Sequence, residues 1–402
     1  MELLAPAGDI ERLHFALRYG ADAVYLAGKQ FGMRASANNF DEDGLKHAVN
    51  LVHTNGKRVY LTCNIIPRNA DIAAMSDFLA FAQEIGVDAL IIGDIGVFKL
   101  AERFAPRIAR HISTQAGVLN AESARTWYNM GAKRVILARE MSLDEIAELR
   151  NLVPKELEIE VFVHGAMCVS FSGRCLLSQY MTGRDANQGN CTQPCRWKYH
   201  LVEETRPGQY MEISEDGGTH ILNTRDLCMI EHIPALQAAG VDSVKIEGRA
   251  KSFYYTAVAT NAYRKAIDAA LSEQRVSPIW INEVEKVSHR AYSTGFFHNA
   301  DGGGQYTADA LYSRGWAVVG IVDDCGEDGL AHVTQRNRFF VGDCLDLLTP
   351  EGEPISFILS ALWDASGEPV DVAPNPMATV TLRLPIAAPQ YSILRKACGE
   401  VS

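Results

Sequence analysis

The sequence predicts a TIM-type (β/α)8 barrel with a cysteine-rich insertion after its seventh strand, followed by a small C-terminal all-β barrel domain. Three observations predict it. A helix that closes on Gly and runs into an apolar strand recurs as GADAVYLAG from Gly20, GVDALIIGD from Gly86, GAKRVILARE from Gly131 and GVDSVKIEG from Gly240. Glycine supplies the left-handed cap after a last helical turn, and an apolar run suits a strand covered by helices. Eight such strands alternating with helices over about 270 residues match the size of a TIM-type barrel, with an open doubly wound sheet as the alternative. From Gly315 the pattern changes to short strands and turns, as in WAVVGIVDD, LAHVTQ and ATVTLRL, which reads as a small all-β unit.

Taken in order, strands fall at 2–6, in the first echo, at 58–65, in the second echo, at 108–115, in the third echo, at 157–164 and in the fourth echo. Amphipathic helices fit between them, for example over 71–85 and 142–152. The barrel domain is expected over 1–275, including a cysteine-rich loop at 165–220 that is too long for an ordinary βα connection. A linker is expected over 276–311 and the β-barrel over 312–390.

The composition narrows the function classes. With 402 residues, 47% hydrophobic and 22% charged, the chain has an ordinary globular composition. The start MELLAPAG has no leader pattern, and no apolar stretch is long enough for a membrane span, so a cytoplasmic protein is expected, with no membrane partner. The net charge of −11 argues against non-specific nucleic-acid binding, although a local patch can override it. HExxH, GxSxG, SxxK, GxxxxGK[ST] and a helix-opening GxGxxG are all missing, which leaves zincin, serine-hydrolase, P-loop and Rossmann readings without their residues.

Four of the nine cysteines, Cys168, Cys175, Cys191 and Cys195, are spaced C-x6-C-x15-C-x3-C. A reducing compartment disfavours disulfides, so such a cluster reads as metal or redox chemistry. Four thiolates can hold an iron–sulfur cluster or a tetrahedral zinc, and buried unliganded thiols are the third reading. Cys63, Cys228, Cys325, Cys344 and Cys398 are scattered and read as small apolar side chains, Cys228 being near enough to serve as a reserve ligand.

Alternate barrel residues point inward, and catalytic groups sit where inward positions reach the C-terminal rim. That alternation places Asn64, Asp94, Gln115 (above His111 and Ser113), Glu140, His164, Lys245 and Glu247 inward. Each alone is an ordinary interior polar residue, or an ion pair for Lys245 and Glu247; together they favour a ligand pocket. Arg174, Arg184, Arg196 and Lys198, interleaved with Tyr180, Trp197 and Tyr199, suit phosphates and unpaired bases, or are a solvated loop.

The segments ELLAPAG, HISTQ, AREMSLDEI, HGAMCVSFSGRCLLSQYMTGRDANQGNCTQPCRW and VKIEGRAKSFYYTAVATNAYRKAI resemble the bacterial peptidase U32 family over nearly the whole chain. Within it, the length, the four-cysteine block and the single C-terminal domain are similar to the branch that hydroxylates wobble uridine of tRNA to 5-hydroxyuridine, without molecular oxygen and with prephenate as co-substrate. The stretch between Trp197 and Asp226 is shorter than in that branch. The resemblance implies a 4Fe-4S cluster at Cys168, Cys175, Cys191 and Cys195, a tRNA anticodon loop as partner, and an RNA-facing surface made by the cysteine loop and the β-domain. It leaves an electron-donor protein open, as it does the sister activities on ribosomal RNA cytidine or a ubiquinone precursor, a collagenase-like peptidase, and a non-catalytic RNA-binding cluster protein. Under it, His164 is the proton shuttle, with Lys245, Glu247 and Asn64 as the other catalytic candidates. Arg139, Arg174, Lys245 and Arg249 are the cations for the two prephenate carboxylates, with Gln115 and Glu140 beside them as substrate-binding groups. Arg139 has outward parity and Arg249 could instead meet RNA phosphate.

Overall fold

The computed structural model describes residues 1–33, 38–168, 170–197, 201–202, 210–211, 224–298 and 315–398. Eight parallel strands form the barrel: β1 (Glu2–Pro6), β2 (Ala23–Leu26), β3 (Arg58–Cys63), β4 (Ala89–Ile92), β5 (Ala109–Ile112), β6 (Arg134–Ile136), β7 (Glu158–Ala166) and β8 (Ser243–Ile246). They pair in sequence order, and β8 bonds to both β7 and β1, which closes the ring. The runs AVYL, ALII and SVKI are buried at every position, as strands between a filled interior and a helical coat must be. The expected helices at 71–85 and 142–152 are Ile72–Glu84 and Leu143–Leu152, the second opened by a capping box between Ser142 and Glu145. Gly20 and Gly131 take φ of 101° and 100° between helix and strand, a conformation that any Cβ would strain.

The lower barrel interior is ionic. Arg134, 2% exposed, pairs with Glu2 (2.6 Å), Glu160 (2.8 Å) and Glu158 (2.6 Å), while Tyr60 and Ser243 donate to the Glu2 carboxylate at 2.8 and 3.0 Å. Charges this deep persist only when paired and hydrogen-bonded. Burial alone would raise the Glu2 carboxyl, but the Arg134 guanidinium and the Tyr60 hydroxyl more than offset it and hold the group below its ordinary value.

One irregularity reorients the top of β7. Its register against β8 runs Glu160 to Ser243, Val161 to Val244 and Phe162 to Lys245, and then slips so that His164 faces Ile246. This is a β-bulge, which inserts one residue and turns the side chains beyond it to the other face.

The C-terminal domain is an antiparallel sheet of seven strands in the order Ile355–Ile358, Cys344–Leu348, Ile393–Ala397, Trp316–Cys325, Leu330–Gln335, Thr379–Arg383, Leu362–Trp363. The small all-β barrel unit expected here is present as a half-barrel, with Ile355–Ile358 and Leu362–Trp363 at the two ends of the strand order. Its own core gathers Val319, Val322, Val333, Leu345 and Leu382. Val318, Ile321, Leu348 and Ile393 belong instead to the barrel's core cluster, so apolar packing is continuous between the two domains. Polar ties reinforce it. Tyr19 donates to the Leu348 and Tyr391 carbonyls at 3.1 and 3.0 Å. Arg395, fully buried, ion-pairs with Glu283 at 2.7 Å and donates to the Tyr254 hydroxyl at 3.0 Å.

Part of the expected linker is not a linker. Pro278–Glu285 is a helix whose Trp280 and Val284 are buried in the barrel core, and Tyr292–Ser293 pairs with the short strand Asp226–Cys228. The apolar spacing of those two side chains folds the segment back onto the barrel; residues 299–314 lie outside the described residues. Among the described residues, no helix is long and apolar enough to cross a membrane.

Candidate active site at the barrel mouth

A cavity of about 180 Å³ opens at the C-terminal ends of the strands. Of the site residues expected from sequence, Asn64, Gln115, Arg139, Glu140, Lys245, Glu247 and Arg249 line it, as do Cys168, Cys175, Cys191 and Cys195. The cysteine loop therefore forms one wall of the same space that the strand ends enclose.

Lys245 projects from β8, fully enclosed, with its ammonium 3.3 Å from Glu160 and 4.4 Å from the Tyr25 ring centroid. Burial pulls its ammonium below the ordinary lysine value, and Glu160 opposes that pull. Glu160 was not singled out from sequence, although two-residue alternation along EIEVFVH would have put it on the inner face with Phe162. Arg139 lies outside β6, where strand parity no longer applies, and reaches the cavity with its guanidinium 3.9 Å from the Phe162 ring centroid and a 2.9 Å bond to the Ala166 carbonyl. Arg249, 4% exposed, donates to Asn39 at 3.3 Å.

Glu140 holds the cysteine loop. Its two oxygens accept from the Ser172 N–H at 2.7 Å and the Ser172 hydroxyl at 3.0 Å, and Ser172 sits at a left-handed φ of 46°. Arg174 is outside the cavity lining and donates through Nε to the Gln115 carbonyl at 2.7 Å. Both side chains, expected on substrate, fasten the Cys168–Cys175 segment to the rim.

Two rim expectations are corrected. Asp94 caps the helix Ile95–Phe104, accepting from Gly96 and Val97 N–H at 2.8 and 3.1 Å, because the chain has already left the strand there. His164, expected as the proton shuttle, does not line the cavity. The β7 bulge turns it outward, where it is 1% exposed, with the Tyr263 and Tyr292 hydroxyls 3.4 Å from its two ring nitrogens and the Tyr255 ring against it. Burial drives its ionisation down to about 3, which Asp226 only partly opposes. A histidine that folds neutral makes stability depend on pH. That contribution is complete above the ordinary value of 6.5 and is lost as pH falls towards 3, since only the unfolded chain takes the proton in that window. Between pH 6.5 and 4.5 this amounts to about 2–3 kcal/mol. Urea denaturation at the two pH values should show His164→Phe flattening the dependence by about that amount; a variant with the wild-type slope would contradict the buried neutral imidazole.

The thiols fit a metal cluster in their donor chemistry. The Cys175 and Cys191 sulfurs accept backbone N–H bonds from Leu177 (3.3 Å) and Gln193 (3.4 Å), the kind of contact that tunes thiolate ligands. Burial raises the Cys195 thiol, Arg196 opposes this, and Cys168, Cys191 and Cys175 add to the rise. Among the described residues, no three His, Cys, Asp or Glu side chains are gathered around a single metal-ion position. Cys228 instead faces the Tyr263 hydroxyl at 3.9 Å, with its thiol pushed up to about 11 by burial. Arg184, Tyr180 and Trp197 are exposed on the loop, Tyr180 at 82%; Lys198 and Tyr199 lie outside the described residues.

Fold and site together define a closed (β/α)8 barrel whose mouth is walled by four thiols and several buried cations, with a β half-barrel docked to its flank. Residues 8–306 match peptidase family U32 and residues 314–395 match the peptidase family U32 C-terminal domain, so the chain belongs to this family. It is 39% identical over 426 residues to tRNA hydroxylation protein P of Escherichia coli, covering 96% of this chain and 94% of that one. It is 35% identical over 404 residues to tRNA hydroxylation protein P1 of Bacillus subtilis, covering 98% and 94%. A collagenase of Porphyromonas gingivalis is 32% identical over 309 residues, covering 74% of this chain and 73% of that one.

Proposed function

We propose that this protein is a cytoplasmic tRNA-modifying enzyme that hydroxylates wobble uridine to 5-hydroxyuridine, with prephenate as co-substrate and a 4Fe-4S cluster on Cys168, Cys175, Cys191 and Cys195. The observation that carries the reading is that the four thiols and four cations, Arg139, Arg196, Lys245 and Arg249, line one cavity, against two carboxylates, Glu140 and Glu247. Such cations suit a ligand that carries carboxylates: guanidinium groups grip carboxylates in pairs and the ammonium pairs as a point charge. Glu160, behind Lys245, keeps that ammonium aimed into the cavity while Arg134 shares the same carboxylate from below. When bound, the cluster supplies single-electron chemistry at the cavity wall. The relatives named for tRNA hydroxylation match over nearly their full length, which supports the RNA substrate.

The RNA approaches from the cysteine loop, where Arg184, Tyr180 and Trp197 offer phosphate and stacking contacts. The half-barrel is the poorer face for RNA, since residues 315–398 hold eleven Asp and Glu against five Lys and Arg. The peptidase alternative needs a nucleophile beside a base, and among the described residues no histidine lines the cavity. Deleting the gene in its host and analysing nucleosides by mass spectrometry tests the proposal. The expected result is loss of 5-hydroxyuridine and its derivatives from tRNA, most complete under anaerobic growth. Intact tRNA with a missing ribosomal hydroxycytidine, or with a quinone defect, would transfer the assignment to a sister activity.

A further inference from the structure

The cavity wall divides by chemistry. The segment following β6, the cysteine loop, and β8 with the residues beyond it bring the ionic groups, whereas β3, β5 and the residues just beyond them bring neutral hydrogen-bonding side chains: Thr62, Asn64, Ser113, Thr114 and Gln115. Thr62 Oγ1 and Gln115 Oε1 are buried and have no hydrogen-bond partner among the described residues, in side chains 3% and 6% exposed. Native interiors rarely leave such groups unpaired, and two that line one cavity call for a ligand.

The orientation of Asn64 is fixed. Asn64 Oδ1 accepts the Met33 N–H at 3.2 Å, so its amide cannot turn over without opposing two donors, and its Nδ2 is directed towards Ser113 Oγ at 3.5 Å on the cavity side. Gln115 is anchored through its backbone, its N–H donating to Ser113 Oγ at 3.4 Å and its carbonyl accepting from Arg174 at 2.7 Å. The wall thus presents a committed donor at Asn64, an open acceptor at Gln115 and an open hydroxyl at Thr62.

We propose that this neutral half of the cavity is the base subsite, and that Asn64 is the residue that selects uracil over cytosine. The inference rests on the function proposed above and names the substrate group that the site reads. Uracil offers an acceptor oxygen at its 4-position beside a ring N–H donor; cytosine reverses both, with an amino donor and a bare ring nitrogen. Asn64 Nδ2 donates to the uracil oxygen and Gln115 Oε1 accepts the ring N–H. Against cytosine the same pair sets donor on donor and acceptor on acceptor, and a buried site rejects that mismatch.

The test uses cluster-loaded full-length protein and two anticodon stem–loop RNAs that differ only in U or C at the wobble position, with binding followed by fluorescence anisotropy. Wild-type protein should favour the U loop by about tenfold or more. Asn64→Asp keeps the acceptor for the Met33 N–H but removes the donor, so the preference should vanish or reverse towards C, to which a carboxylate can pair. Gln115→Ala should weaken the U loop about tenfold and narrow the preference over the C loop, with iron content and melting temperature confirming an intact fold in both variants. A wild-type preference retained in Asn64→Asp overturns the subsite, as does equal binding of both loops by a wild-type enzyme that still hydroxylates uridine. Protein that modifies no RNA yet binds uridine monophosphate over cytidine monophosphate, with the preference lost in Asn64→Asp, upholds the subsite and overturns the function.

Discussion

With the proposed cluster in place, anaerobic purification should give brown wild-type protein with about four iron atoms per chain, and replacing Cys195 or Cys191 with Ala should give a colourless one. The four sulfurs line one cavity, and the proposed thiolate cluster would on losing one ligand expose an iron that is readily stripped. Activity should fall below detection in both variants. Cys398, exposed at the end of the half-barrel, provides the control: Cys398→Ala should keep colour, iron and activity. A wild type that purifies colourless with one zinc would refute the cluster, and an iron content unchanged in Cys195→Ala would refute that ligand.

The second large effect concerns stability. Arg395→Met should cost about 3 kcal/mol, because it takes the guanidinium from the Glu283 carboxylate, 2% exposed, in the seam between barrel and half-barrel and leaves Lys286 as its remaining cation. Asp346, 3.4 Å from the same guanidinium, loses a second contact, although Lys286 still serves both carboxylates. Denaturant titration should show one cooperative transition displaced to lower concentration, since apolar packing runs uninterrupted across the seam. Adding Glu283→Gln should recover part of the loss by removing the stranded charge. A single variant within about 0.5 kcal/mol of wild type would mean that water reaches the pair.

The barrel was legible because each glycine-capped junction repeats one physical unit, a helix end that must turn left-handed before an apolar strand. The half-barrel was legible as a run of short strands and turns, because each strand carries its own apolar alternation, whereas the order in which the strands pair follows from no local pattern. At the site, two-residue alternation placed Asn64, Gln115, Lys245 and Glu247 correctly, because all lie on or just beyond regular strands. It failed at His164, where a bulge inserts one residue, and at Asp94, where a helix cap captures the side chain. Arg139 points inward against its parity because the chain after β6 is no longer a strand. The roles of Glu140 and Arg174 were hidden for a different reason: both grip the cysteine loop, which is remote in sequence from Glu140 and touches the rim only in the folded chain.

The half-barrel concentrates negative charge. Residues 315–398 carry −6 of the total −11, while Arg139, Arg196 and Arg249 line the mouth of the barrel. A polyanion such as the RNA proposed above would be repelled by the half-barrel before contact. The domain, which contributes no described residue to the cavity, would thereby act on the encounter at long range, and rising ionic strength would progressively disconnect it.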